Sequence, residues 1–401
     1  MEQISMTVLA VAIAVFAAPL FVDLAICIVG NYRGARRSNA AARGEIRNAS
    51  GRREINLAVV VPAHNEEAMI ERTLASLRAA GPETTVYVVA HNCEDSTAEI
   101  AMHAGACVLV LSNPRLRGKG AALRHGFSTA IDDGANAILV VDADSSVSPN
   151  LIEETRIKLS EGAEATQCRY ELKLAPDHGR SPMARLRALA FRGMNVLRAK
   201  GRSGLGFSTG LFGNGFALSA ATLERVPFDA DSIAEDVEYH TRLVSAGISV
   251  CWIGDAFVQA QPPQSREAQA SQEARWEGGR VRVASQSTKR LLAAILHGRW
   301  RAIETLADVW SLPLSRGIIA LVLTIGLPVR WLHEFAIVCA VVTLFYVFEA
   351  AMLGSEPVAD LFALACAPLY LLWKALITPL VLRQSRSRAE WARTKREAPQ
   401  Q

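Results

Sequence analysis

Four carboxylates stand in two pairs along this chain, Asp142 with Asp144 and Glu235 with Asp236. Asp142 and Asp144 alternate directly after the apolar run Ile138–Val141, so both can reach one hard cation through oxygen ligands, directly or through water. A capped turn with solvated acids is the other reading of that pair, since aspartate is common where strands end. Glu235 and Asp236 precede a run that reads as helix, where acids meet exposed N–H groups and the positive pole of the helix. Capping would hold a carboxylate in a defined place, which proton abstraction from a hydroxyl also requires. Further on, the run Gln272-Glu-Ala-Arg-Trp sets a planar cation, Arg275, beside an aromatic plate, Trp276. Arg117-Gly-Lys-Gly brings Lys119 to the head of another helical run, but it lacks the spacer and the Lys-Ser/Thr of a Walker A loop.

These residues need elements to position them. Leu57–Pro62 is a short β-branched run that reads as a buried strand, and 66–80 has helical periodicity through Ile70, Leu74 and Leu77 until Gly81-Pro82 stops it. Further strands are predicted at Val86–Ala90, Cys107–Leu111 and Ala137–Val141, with helices around Ser96–Ala104 and over Lys119–Ala130 between them. Such alternation implies parallel β-α-β units and an open, doubly wound sheet. Ligands in these sheets bind at the C-terminal strand ends. Pro62–Glu66, the segment around His91 and Asn92, and Asp142–Asp144 all fall there.

Half of the 401 residues are hydrophobic, and the excess is concentrated at the two ends. Residues 4–29 exceed the roughly 20 apolar residues that a bilayer crossing takes. No basic segment precedes them, so they read as an uncleaved anchor rather than a signal peptide. Arg33, Arg36, Arg37, Arg43, Arg47, Arg52 and Arg53 follow, which places that side in the cytoplasm. Asp23, inside the span, either faces a neighbouring helix or sits near the interface. Apolar stretches recur at about 314–332, 335–353 and 358–382. Three crossings would put the basic tail Arg383–Arg396 outside, against the charge rule. The stretch 358–382, which carries Pro368, Lys374 and Pro379, is therefore assigned as interfacial or re-entrant. Residues 284–312 mix apolar and basic side chains at helical spacing and predict an amphipathic helix on the cytoplasmic leaflet. The expected organisation is an anchor (1–30), a basic linker (31–55), a cytoplasmic domain (56–283), the interface helix (284–312), membrane segments (313–382) and a basic tail (383–401). Basic runs abutting apolar segments point to membrane lipids as partners, and no nucleic acid is expected. The seven cysteines show no C-x-x-C spacing and read as buried thiols in a reducing compartment.

In order along the chain, the segments 59–66, 142–144, 235–236 and 272–276, framed by hydrophobic ends, resemble the membrane-bound family 2 glycosyltransferases of the exopolysaccharide type. Trp391-Ala-Arg-Thr-Lys-Arg also recurs in such members. The resemblance implies an α/β architecture of GT-A type, a doubly wound mixed sheet flanked by one N-terminal and two or three C-terminal transmembrane helices. It implies inverting transfer from a nucleotide-sugar donor, UDP-linked, to a lipid-linked or growing glycan acceptor at the cytoplasmic face of a bacterial inner membrane. On this resemblance Asp142 and Asp144 hold a divalent metal, Mg2+ or Mn2+, and Asp236, paired with Glu235, is the general base. Pro62, Ala63, Asn65, Glu66, Asn92, Lys119 and Arg275 would contact the donor, and Gly213, Gly215, Gln272 and Trp276 the acceptor. His91 stands where the family usually has aspartate, a departure in the uridine-binding region. The Gln-x-x-Arg-Trp element is typical of polymerising members, but few spans follow the domain. Addition of one or a few sugars is therefore expected over a processive polysaccharide synthase. A non-catalytic scaffold or glycan-binding subunit would have lost its metal or base carboxylates, and all four are present.

Overall fold

After a first helix, α1 (Glu2–Ala41), strand and helix alternate as the periodicity predicts. The elements are β1 (Leu57–Ala63), α2 (Ile70–Ala80), β2 (Val86–His91), α3 (Thr97–His103), β3 (Cys107–Leu111), α4 (Lys119–Asp132) and β4 (Ala137–Val140). Alternate residues of β1 enter different cores. Val59 and Val61 pack with Ile70, Leu74 and Leu77 of α2, whereas Ala58 and Val60 pack with Leu123 and Phe127 of α4. Burial on both faces is what a parallel sheet covered by helices requires. The computed structural model describes residues 2–41, 53–116, 118–174, 181–230, 232–263 and 265–386. Arg43, Arg47 and Arg52 of the linker, Arg117, and the tail beyond Arg386 lie outside the described residues.

The second half of the domain contributes β5 (Ser145–Val147), α5 (Leu151–Ser160), β6 (Ala165–Leu172), α6 (Pro182–Arg192), α7 (Arg198–Gly204), β7 (Phe216–Ser219), α8 (Ala220–Arg225), α9 (Glu235–Ser245) and β8 (Val250–Ala260). The eight strands form one sheet in the order β3-β2-β1-β4-β7-β6-β8-β5. β1 to β4 are parallel, β7 runs antiparallel between β4 and β6, and β6 pairs parallel with β8. The mixed sheet is thus a GT-A-like core. The reversal at β4/β7 sets the loop before Phe216 directly across from the end of β4.

The remaining helices are α10 (Arg266–Leu296), α11 (Ala302–Trp310), α12 (Leu314–Thr324), α13 (Arg330–Met352), α14 (Pro357–Ala363), α15 (Ala367–Leu376) and α16 (Thr378–Arg386). Two expectations change here. The stretch 284–312 is not one helix. Composition shifts at 284, but α10 begins at Arg266, where the Ser265 side chain accepts the Ala268 N–H, and α11 is separate. The segments long and apolar enough to cross a membrane are Met6–Gly34, Arg330–Met352 and Pro357–Leu376. The stretch assigned as interfacial therefore qualifies by length and composition. Instead it is α12, only 11 residues long and bent by 66° from α11, that is too short to cross alone. Pro368 lies in the first turn of α15, where its missing N–H costs nothing, and Lys374 is ion-paired, so neither blocks a span.

α1 is fastened to the domain through α7. Gly30 and Gly201 face each other so closely that a Cβ on either would overlap backbone of the other helix, at the Gly201 carbonyl or at Cys27. Such contact between backbones needs residues without side chains. Next to it, Asp23 meets Arg198 at 2.6 Å and Arg202 at 3.4 Å, and Arg198 also meets Asp308 of α11 at 2.8 Å. Arg202 pairs with Glu304, and Arg280 of α10 pairs with Asp308. Asp23 thus faces neighbouring helices, one of the two placements its sequence left open.

Candidate functional site

A cavity of about 560 Å3 opens where the parallel strands end and continues among residues of α1, α13 and α15. Asp142 and Asp144, Glu235 and Asp236, and Gln272, Arg275 and Trp276 all line it, although their motifs span more than 130 positions. The sheet reversal explains the convergence. Asn214, in the loop before β7, accepts the Asp142 N–H through its side-chain oxygen at 3.1 Å and donates to Ser145 Oγ at 2.8 Å. Buried Gln167 holds that loop in turn, donating to the Asn214 carbonyl and accepting the Phe212 N–H. Two buried amides therefore set the position of the Asp142–Asp144 turn. Sequence reasoning missed both, and the one available signal was an asparagine between Gly213 and Gly215.

Lys119 is the cation of the acidic cluster. Its Nζ lies 2.5 Å from Asp142 Oδ1 and 4.0 Å from Glu235 Oε1, and it donates to the Gly213 carbonyl. Burial works against the ammonium, yet Asp142, Glu235 and Asp236 hold its pKa above the ordinary lysine value. Gly213, at φ 77°, lets the loop pass close to Asp236, since a Cβ there would sit 3.2 Å from Asp236 Oδ2. Glu235 and Asp236 begin α9, and Asp236 Oδ1 accepts the Val237 N–H at 2.8 Å. Burial raises the pKa of both acids. Glu235 is pushed up to about 7, chiefly by burial and further by Asp236 and Asp142, with Lys119 opposing.

The two acids influence each other's protonation and titrate as a unit. A carboxylate acting as base must be ionised, so the acid limb of kcat/KM should lie above the ordinary aspartate range, because burial raises the pKa of Asp236, and Glu235→Gln should move that limb to lower pH. Because the folded pKa of Glu235 lies above its ordinary 4.5, its stabilising contribution is full below that value and is lost as pH rises through about 7. Glu235→Gln should therefore raise stability by about 3 kcal/mol at pH 8 and by nothing measurable at pH 4. Thermal unfolding at the two pH values checks the sign.

Asp142 and Asp144 offer two hard oxygen ligands at one turn, a set that suits a divalent cation whose other ligands come from a bound diphosphate and water. Among the described residues no group of three or more His, Cys, Asp and Glu forms a closed metal cage.

The other expected donor contacts divide. Pro62, Glu66 and Lys119 line the cavity, and so does His64, which the sequence reading did not select. Ala63, Asn65 and Asn92 are not among its lining residues. Asn65 accepts the Glu94 N–H, and Asn92 accepts the Asn113 N–H while donating to the Asn113 and Leu116 carbonyls. Both brace loops, in left-handed backbone (φ 57° and 50°) that asparagine tolerates. On the acceptor side Gly213 lines the cavity, whereas Gly215 packs against Cys168 and Val258 beneath it. Trp276 is 39 % exposed and ends an aromatic row in which Phe191 lies 5.9 Å from Trp276 and 4.9 Å from Tyr170. The basic amphipathic stretch 183–202 supplies the cavity wall through α6 and the turn after it.

The pattern of the family described as "Glycosyltransferase like family 2" matches residues 55–279. A probable glycosyltransferase, YdaM, of Bacillus subtilis (strain 168) is 25 % identical over 236 residues, which cover 56 % of this chain and 54 % of that protein. The undecaprenyl-phosphate 4-deoxy-4-formamido-L-arabinose transferase of Pectobacterium carotovorum subsp. carotovorum (strain PC1) is 34 % identical over 98 residues, covering 22 % of this chain and 29 % of that one. Both relatives are matched over less than two thirds of their own length. Among solved structures, the mannosyltransferase PcManGT of Pyrobaculum calidifontis, in complex with GDP-Man and Mn2+, superimposes with a TM-score of 0.50 at 16 % identity, covering 92 % of this chain and 97 % of that chain. At that identity the likeness establishes a shared fold.

Proposed function

This chain belongs to glycosyltransferase family 2, and from that premise we propose that it moves one or a few sugars from a nucleotide-sugar donor, UDP-linked, onto a lipid-linked acceptor. The cavity carries this reading. Its lining joins Asp142, Asp144, Glu235, Asp236 and Lys119 of the domain to Leu20 and Leu24 of α1, Tyr346 and Val347 of α13 and Leu371 of α15. A polar reaction centre continuous with an apolar slot between membrane helices suits an amphiphile whose glycan end reacts while its hydrocarbon stays among the helices. The relative described as acting on undecaprenyl phosphate agrees with that acceptor class.

Asp236, fixed at the head of α9, removes the proton from an acceptor hydroxyl as it attacks the anomeric carbon, and attack opposite the leaving diphosphate inverts the configuration. Asp142 and Asp144 would hold Mg2+ or Mn2+, which when bound offsets charge developing on the departing nucleotide diphosphate. Arg275 and Lys119 place positive charge on the same side. Trp276 stacks on the apolar face of the acceptor sugar. Exopolysaccharide or another envelope glycan is the destination, with the domain at the inner face of the bacterial membrane, a reading that the basic segments flanking the apolar helices support.

Incubating the purified protein with labelled UDP- and GDP-sugars, divalent metal and a lipid extract tests this. Label in a solvent-extractable product carrying a few sugars is expected. Long polymer formed from nucleotide sugar alone would overturn single addition, and nucleotide release from no donor would overturn the enzyme.

A further inference from the structure

Beside the cavity lies a largely buried cluster with three cations and two carboxylates. Arg187 of α6, Arg316 of α12 and Lys374 of α15 face two carboxylates of α10, Glu273 and Glu277. Lys374 lies 2.6 Å from each carboxylate, and Arg316 lies 3.2 Å from Glu277. Arg187 is the poorly matched member. Its side chain is 5 % exposed, its one carboxylate within 4 Å among the described residues is Glu273 at 3.7 Å, and its Nε has no hydrogen-bond acceptor. A buried guanidinium left so under-satisfied is costly without a further anion. Arg187, Glu273 and Lys374 all border the cavity. A neighbouring group on α6, Arg185 and Arg192 with Glu356 and Asp360, is balanced and does not offer the same excess.

The position of Arg187 suggests what the anion belongs to. Phe191, four residues along α6, packs against Trp276, so Arg187 lies one helical turn from the residue that meets the aromatic plate. Leu186, the preceding residue, packs with Ala363 and Tyr370 in an apolar cluster. We propose that Arg187, with Lys374 beside it, binds the phosphate that joins glycan to lipid in the acceptor. The acceptor's sugar then lies on Trp276 and its hydrocarbon runs between the membrane helices. This rests on the lipid-linked reading and narrows it to a lipid phosphate.

Equilibrium binding to the full chain in detergent, followed by tryptophan fluorescence without donor, tests the assignment with farnesyl phosphate, farnesol and inorganic phosphate. Farnesyl phosphate should bind at least about tenfold more tightly than farnesol, and Arg187→Gln should bring that preference below about threefold without changing farnesol binding. Arg187→Lys should restore part of it. Equal binding of the phosphate and the alcohol by the wild-type chain would overturn the proposal even if Arg187→Gln fails to fold. Retention of the preference in a folded Arg187→Gln chain would do the same. Inorganic phosphate competing at the concentrations at which farnesyl phosphate binds would mark a site for free phosphate and overturn the lipid assignment. Because no donor is present, binding and transfer are read separately, so absence of the preference in the wild-type chain overturns this assignment without bearing on the transferase reading, and absence of transfer leaves the binding result standing.

Discussion

Asp236→Asn should lower sugar transfer about 10³-fold, measured as nucleotide release in a single turnover with both substrates saturating. The substitution changes basicity and little else. The asparagine oxygen can still accept the Val237 N–H, and the side chain keeps its size beside Gly213. Lys119 remains paired with Asp142, so the charge arrangement around the donor phosphates persists. Donor affinity should therefore stay within about threefold of wild type, with the loss confined to the chemical step. Glu235→Gln provides the contrast, since that side chain lies 4.0 Å from Lys119 and tunes the pair. It should shift the pH profile more than it lowers the maximal rate. Asp236→Asn turning over within tenfold of wild type would remove Asp236 from the base role.

The second large effect concerns assembly. Arg198→Leu should destabilise the chain by about 3–5 kcal/mol, the range found when one partner of a buried ion pair is removed. Arg198 is 6 % exposed and bridges Asp23 of α1 to Asp308 of α11. Without it Arg202, at 3.4 Å, is the nearest cation left to Asp23 among the described residues, and a carboxylate packed between apolar helices tolerates little loss of pairing. Thermal unfolding in detergent should report the loss. Combining Arg198→Leu with Asp23→Asn should recover much of it, because the carboxylate then no longer needs a partner. A single mutant that melts with the wild type would mean the network contributes specificity and not stability.

The parallel half of the domain was legible because its signals are local. A β-branched run buried on both faces, as in β1, and Ile70, Leu74 and Leu77 at helical spacing need no knowledge of the rest of the chain. The boundary at 284 was misplaced for a related reason. Charge and hydropathy change there, whereas the backbone responds to the Ser265 cap nineteen residues earlier and continues unbroken. Apolar length likewise separated Arg330–Met352 from soluble helices, but it gave no warning that α11 and α12 meet at 66°.

Residue type and spacing alone determined which carboxylates stand at strand and helix ends, and how much apolar chain is available to cross a membrane. Both are properties of short segments. Only the tertiary structure decided that Lys119 would neutralise Asp142, that Asn65 and Asn92 would be engaged as loop braces, and that Asp23 would find Arg198, 175 positions away. Those outcomes depend on electrostatic and hydrogen-bond partners brought together by the sheet reversal and the packing of α1 on α7. No local pattern encodes the identity of such partners.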